Sequence, residues 1–276
     1  MGIFSSMELF DTHFHYDGEV TPAEYLAQIN ADLELNSGVF TTPVEKLYLL
    51  CAGGSVAGSF RAAEFAQAVE NACFSAGVHP HDAAEYRRDG GDIAPLRNHA
   101  KLRAIGEIGL DYFYDLSDRQ VQREVLAEFL QVALQWDLPA MLHLRDKDGV
   151  WDAYEDALAL LTDFHADGGR FVIHCYAGNE AYADKFLALD GYFGVTGMYT
   201  FKAAQNIRRV ISRIPLEKLF IETDSPYLAP VPYRGRTNTP GMVGRVAAAL
   251  AFDRNMTPEA AAAVFTANGK NFYRIG

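Results

Sequence analysis

The chain has 276 residues, with 24 Lys and Arg against 36 Asp and Glu and a formal net charge of −12. That balance excludes a general nucleic-acid coat protein, which needs a basic face, yet allows an enzyme that holds a few phosphates with local cations. Hydrophobic residues make up 49% of the chain, enough for one core, and no apolar run approaches the roughly 18 residues of a membrane span.

The start, Met1–Phe10, has neither the basic lead nor the apolar stretch of a secretion signal. It runs straight into a first strand, Leu9–His13, closed by Asp11-Thr12-His13-Phe14-His15. Residues two apart on a strand share a face, so His13 and His15 can point the same way. Taken alone, the pair reads equally as two hydrogen-bonded histidines near a turn. A helical pattern over Pro22–Leu33 follows, then strand Lys46–Ala52, helix Phe60–Asn71 and strand Cys73–Val78, which ends in His79-Pro80-His81. The fourth strand, Leu102–Ile105, leads into Glu107, with Gly106 and Gly109 letting the backbone approach closely. Helix Arg119–Trp136, strand Ala140–Leu144 with His143, helix Trp151–Asp163 and strand Phe171–His174 come next. Helix Glu180–Leu189, strand Tyr192–Val195, helix Ala203–Ile214 and strand Leu219–Glu222, followed by Asp224, complete the alternation. Helices Gly241–Arg254 and Pro258–Tyr273 end the chain.

Eight near-continuous apolar strands in strand–helix order predict an α/β chain folded as one (β/α)8 TIM barrel over residues 1–276. No Gly-rich dinucleotide fingerprint follows the first strand, which removes the main support for an open doubly wound sheet. The three cysteines, Cys51, Cys73 and Cys175, lie in apolar runs and read as buried reduced thiols, so a cytoplasmic location is expected.

Six of the eight histidines (His13, His15, His79, His81, His143 and His174) fall at or just past strand C-termini. In a barrel those ends converge on one mouth, where ligands distant in sequence can meet. The eighth strand neighbours the first, so Asp224 is expected beside His13 and His15. Imidazoles and carboxylates together suit a divalent ion such as Mg, Mn, Zn or Ni, and a carboxylate like Glu107 can bridge two. The residues themselves therefore point to a metal-dependent hydrolase. His79 and His81 are weaker candidates, His79 for contact with bound water or substrate or equally for structure.

The chain resembles the TatD family of metal-dependent hydrolases through FDTHFH (Phe10–His15), GVHPH (Gly77–His81), AIGEIGLDY (Ala104–Tyr112) and HLRD (His143–Asp146). IHCYAG (Ile173–Gly178), ETDSPYLAP (Glu222–Pro230), the trailing PVPYRGRTNTP and the final Asn268…Phe272 extend the likeness to nearly the whole chain. The resemblance implies a barrel phosphodiesterase or deoxyribonuclease with two divalent metal ions. His13, His15, Glu107 and Asp224 would hold one metal, and Glu107, His143 and His174 the second. Arg145 would contact a phosphate, with an ion pair to Asp146 or Asp111 as the plainer reading. The segment Ala31–Pro43, CAGGSVAG after the second strand and RDKDGVWDAYED after HLR depart from the family pattern and leave the substrate open.

In the expected mechanism the two metals would lower the pKa of a bound water, Asp224 would accept the proton it loses, and Arg145 with the metals would stabilise phosphoryl charge. Single-stranded or frayed DNA is the expected substrate. Tyr112 and Tyr176, with Phe113, Tyr199 and Tyr227, are candidates for stacking its bases, although core packing is the better reading for at least half of them. Lys202, Arg234 and Arg236 can offset the acidic surface locally. No obligate protein partner is called for. The competing chemistry is a barrel amidohydrolase or esterase that attacks a C–N or C–O bond with the same metals and base; a barrel that keeps metal only as structure is the non-enzymatic rival.

Overall fold

The computed structural model describes residues 7–36 and 38–276; the reading of the N-terminal lead over Met1–Ser6 lies outside them. Eight strands form one parallel sheet in sequential order: β1 (Met7–Phe14), β2 (Val44–Cys51), β3 (Ala72–Ala76), β4 (Leu102–Asp111), β5 (Ala140–Arg145), β6 (Phe171–Ile173), β7 (Tyr192–Val195) and β8 (Leu219–Ile221). A parallel bridge between Phe14 and Ser225 brings the two edges together into a (β/α)8 barrel. The outer helices are α1 (Pro22–Leu33), α2 (Val56–Ala68), α3 (Ala83–Asp89), α4 (Arg119–Trp136), α5 (Asp152–Ala166), α6 (Glu180–Ala188), α7 (Gln205–Ile211), α8 (Val243–Asp253) and α9 (Pro258–Phe272).

Local chemistry sets several of these limits. Thr21 and Glu24 form a reciprocal cap at the start of α1, with Pro22 in the first turn where its missing N–H costs nothing. Asp118 caps α4, and α4 stops where Asp137 turns left-handed at φ 52°. Two differences from the sequence reading matter. The short helix α3 was not expected, because its seven residues give too few turns for an apolar period to stand out. And β4 does not end before Glu107 but continues to Asp111. Between Ile105 and Ile108 its pairing with β5 slips: Ile105 faces Ala140 and Ile108 faces Leu142, so β4 carries one residue more than its partner. Such a bulge re-aims side chains, and this one encloses Gly106 and Glu107.

The core has two layers. One lies between strands and helices. The other fills the barrel axis with Phe10, Tyr48, Leu50, Cys73, Ala104, Met141, Val172 and Phe220. Phe272 and Tyr273 at the end of α9 join this inner layer, with Tyr273 edge-on to Phe10 at 6.0 Å. They close the end opposite the strand C-termini, which leaves one open mouth. Among the described residues no helix is long and apolar enough to cross a membrane.

Candidate metal centre

Glu107, buried in the mouth, divides its two oxygens between two sets of imidazoles. Oε2 lies 3.5 Å from Nε2 of both His13 and His15. Oε1 lies 2.8 Å from His174 Nε2, 3.0 Å from His143 Nδ1 and 3.7 Å from His79 Nε2. Asp224 Oδ1 stands 3.7 Å from His13 Nε2 and 3.5 Å from His15 Nε2. Three overlapping groups have their donor atoms within 4.8 Å of one another: His13, Glu107 and His174; His13, His15 and Asp224; His79, Glu107 and His143. All six side chains expected as ligands therefore converge, although they come from β1, β4, β5 and the segments just past β1, β6 and β8.

The backbone explains the convergence. A Cβ on Gly109, whose φ is 151°, would lie 1.9 Å from the carbonyl oxygen of His143, so only glycine lets β4 and β5 sit this close. Asp224 is held by its own N–H, which donates to the carbonyl of His13 at 2.9 Å. Asp11 is buried and bound to Thr223, accepting from its hydroxyl at 2.5 Å and its N–H at 2.9 Å, so it ties β1 to the end of β8 instead of facing the cluster.

Electrostatics fit a cation. Burial pushes the Glu107 carboxyl up, but His174, His79 and His13 outweigh it and hold it well below the usual carboxylate range. Burial alone would lower His174, yet Glu107 and Glu222 lift it well above the ordinary imidazole value. His13 is lowered, by burial and by the neighbouring His174. Such a crowd of nitrogen and oxygen donors, nearly dry, is stable only if protons or a metal ion neutralise the carboxylates. The borderline donors present suit a divalent ion.

His79 differs from the other four imidazoles near Glu107. The backbone N–H of His81 donates to its Nδ1 at 3.2 Å. A neutral imidazole has one N–H and one lone pair, so His79 carries its proton on Nε2 and presents a donor to the mouth, not a ligand atom. His81 acts at one remove. Its Nε2 lies 2.9 Å from Asp111 Oδ2, the same oxygen that lies 3.0 Å from His143 Nε2. Asp111 escaped the sequence reading as a partner of these histidines, although positions 107, 109 and 111 share one face at strand spacing.

Other expectations need correction. Tyr112 and Tyr176 are buried, with hydroxyls donated to Asp156 and to the carbonyl of Asn179, so neither offers a ring for stacking. Tyr199 is likewise packed away on Asp253. Phe113, Tyr114 and Tyr227, by contrast, are exposed. Tyr114 stands 5.5 Å from the His81 ring and Tyr227 6.5 Å from the His15 ring, so the two flank the cluster on opposite sides. The guanidinium of Arg145 lies 4.3 Å from the Phe113 ring centre and 4.7 Å from that of Tyr114. The acids expected as its ion-pair partners are engaged elsewhere, Asp146 with the N–H of Ala153 and Asp111 with the two histidines. Of the loop cations, Arg236 meets Asp32 at 3.5 Å and Arg234 covers Phe201.

Comparison with known proteins agrees with this geometry. Residues 10–274 match the family described as TatD related DNase. The chain is 34% identical to the uncharacterized metal-dependent hydrolase YabD of Bacillus subtilis over 269 residues, 97% of this chain and 99% of that one. It is 32% identical to the 3'-5' ssDNA/RNA exonuclease TatD of Citrobacter rodentium, over 82% of this chain and 86% of the relative. Among solved structures, the TatD homologue YjjV of Escherichia coli superposes with a TM-score of 0.78 at 25% identity, covering 97% of this chain and 98% of its own.

Proposed function

The chain belongs to the TatD-related DNase family of metal-dependent hydrolases, and from that premise we propose that it is a phosphodiesterase acting on single-stranded or frayed DNA ends. The observation that carries the reading is the division of Glu107, one oxygen toward His13 and His15 and the other toward His143 and His174. A carboxylate so placed supports a two-ion centre: His13, His15, Glu107 and Asp224 would hold one divalent ion, and Glu107, His143 and His174 the other. Mg, Mn, Zn and Ni all suit such donors, and availability selects among them. When bound, such ions bring the pKa of water toward neutrality and offset charge on phosphoryl oxygens.

The side chains supply the rest. Burial raises the Asp224 carboxyl, but His15, His174 and His13 more than compensate, so it sits below the usual carboxylate value and is ionised at neutral pH. That is the state a proton acceptor needs, and it takes the proton of the attacking water. His79 donates its Nε2–H toward a phosphoryl oxygen. Arg145, packed against the Phe113 and Tyr114 rings, offers a second donor to the same charge. Tyr114 and Tyr227 stack the bases on either side of the reacting phosphate, tolerant of sequence. Glu107 and Asp111 hold the His143 ring from its two nitrogens.

The deciding experiment is a parallel assay of purified protein with added Mn or Mg on single-stranded DNA, bis-p-nitrophenyl phosphate, and amide and ester panels. Turnover of both phosphodiesters is expected. Turnover confined to an amide or carboxylic ester would replace this reading with the amidohydrolase one.

A further inference from the structure

We infer that Met141 is a positioning residue for the metal centre: its thioether accepts the Nδ1–H of His13 and so keeps the Nε2 lone pair of that imidazole turned toward the ligand cluster. The inference rests on the reading of the cluster as a metal site.

His13 Nδ1 and Met141 Sδ are 3.0 Å apart, and both residues are sealed from solvent, at 0% and 1% exposure. The His13 ring is further confined by stacking on His174, with centroids 3.9 Å apart and planes 13° from parallel. A buried imidazole must place its single N–H somewhere, and a donor left without a partner costs stability. Nε2 faces Glu107, Asp224 and the Nε2 of His15. For Nε2 to serve as a ligand atom its lone pair must face that cluster, which places the proton on Nδ1, where the sulfur is the acceptor within reach.

The distal nitrogens of the other imidazoles have different partners. His143 Nε2 meets Asp111 at 3.0 Å, and His174 Nδ1 faces Glu222 Oε1 at 3.5 Å. His15 is partly open to the mouth. A histidine on a metal usually donates its second N–H to a carboxylate or carbonyl, which fixes the ring and raises its basicity. Sulfur is a weaker, softer acceptor. It fixes the tautomer of His13 without adding a further negative charge to a mouth already crowded with carboxylates.

The position of Met141 is itself defined. On β5 it projects into the barrel axis, where a Cβ on Gly106 would come within 2.6 Å of its own Cβ. Ser75 Oγ lies 4.0 Å from the sulfur on another side. A straight thioether can carry an acceptor atom to the axis from there; an aliphatic side chain fills the same space without one. Packing alone would be satisfied by leucine, and this separates the two roles.

The test compares wild type, Met141→Leu and Met141→Gln as full chains. It uses calorimetric titration with Mn and two-bond 1H–15N spectra of the imidazoles in the metal-free protein. Met141→Leu keeps the volume and removes the acceptor; its Mn affinity should fall by about 10–100-fold, the range for loss of such a partner, and the His13 signals should leave the Nδ1-protonated pattern. Met141→Gln returns an oxygen acceptor, with Ser75 near its amide, and should bind Mn within about threefold of wild type, the ordinary context-dependence of one restored hydrogen bond. Equal loss in both variants, or no loss in leucine, overturns the inference. So does a wild-type His13 protonated on Nε2, a result independent of whether either variant folds. Wild type that binds no Mn would instead overturn the metal-site reading, while the imidazole spectrum would still judge the Met141 contact.

Discussion

Asp224 is fastened to His13 by the main chain: its N–H donates to the His13 carbonyl at 2.9 Å, while its carboxylate stands 3.7 Å from the same residue's Nε2. Position is thus set by the backbone and charge by the side chain. Asp224→Asn removes only the second. We expect kcat to fall by about 10²–10³, the cost of losing one such charged contact, with the circular-dichroism spectrum and cooperative unfolding unchanged. Full turnover in this variant would remove Asp224 from the chemistry.

Chelation is the second test. Because Glu107 serves both sets of imidazoles, EDTA should abolish hydrolysis of bis-p-nitrophenyl phosphate, and Mn or Mg added in excess should restore it. Equilibrium dialysis should count two ions per chain. One ion with full activity would mean that Glu107 does not bridge.

Tyr114 and Tyr227 flank the cluster on opposite sides. Replacing either with alanine should raise KM for single-stranded DNA by about 5–150-fold, corresponding to roughly 1–3 kcal/mol per stacked base. An oligonucleotide that is abasic on both sides of the scissile phosphate, with nothing there to stack, should keep its KM. Parallel losses on both substrates would point to a structural role for these rings.

The departing segment after α1 is anchored by Glu259 at the start of α9, which accepts from the Thr41 N–H at 2.7 Å and its hydroxyl at 2.8 Å. The Thr41 backbone contact draws the Glu259 carboxyl below its ordinary value. A carboxyl lower in the folded than in the unfolded chain adds stability above its unfolded value of about 4.3, and that contribution disappears as pH falls through the folded value. Wild type should therefore melt above Glu259→Gln at pH 7, with the gap closing as pH falls through the folded value. A gap that is constant across this range would show that the charge of Glu259 adds nothing.

Sequence pattern reached the barrel and the convergence of the six ligand candidates because both follow from periodicity and from one topological fact, that β8 returns beside β1. It missed what depends on local register. The bulge at Gly106–Glu107 carries β4 onward, so Asp111 faces the histidines as well. Aromatic rings were harder still. Tyr112 and Tyr176 sit in the same motifs as the ligands, but their hydroxyls find partners among the outer helices and loops, while Tyr114, two residues on from Tyr112, faces outward. Nothing in the pattern of apolar residues distinguishes these rings. Met141 is the extreme case: it reads as an ordinary inward strand residue until its sulfur is seen against His13.

The barrel wall has a seam. Among the described residues no ladder joins β8 to β1; the edges meet through the Phe14–Ser225 bridge and the bonds around it. His13 and His15 stand on one lip and Asp224 on the other. An ion gripped by all three would act as a clasp across the wall, so that part of the energy of loading would go into holding the cylinder shut, and stripping it would loosen first the very edge where the reaction is run.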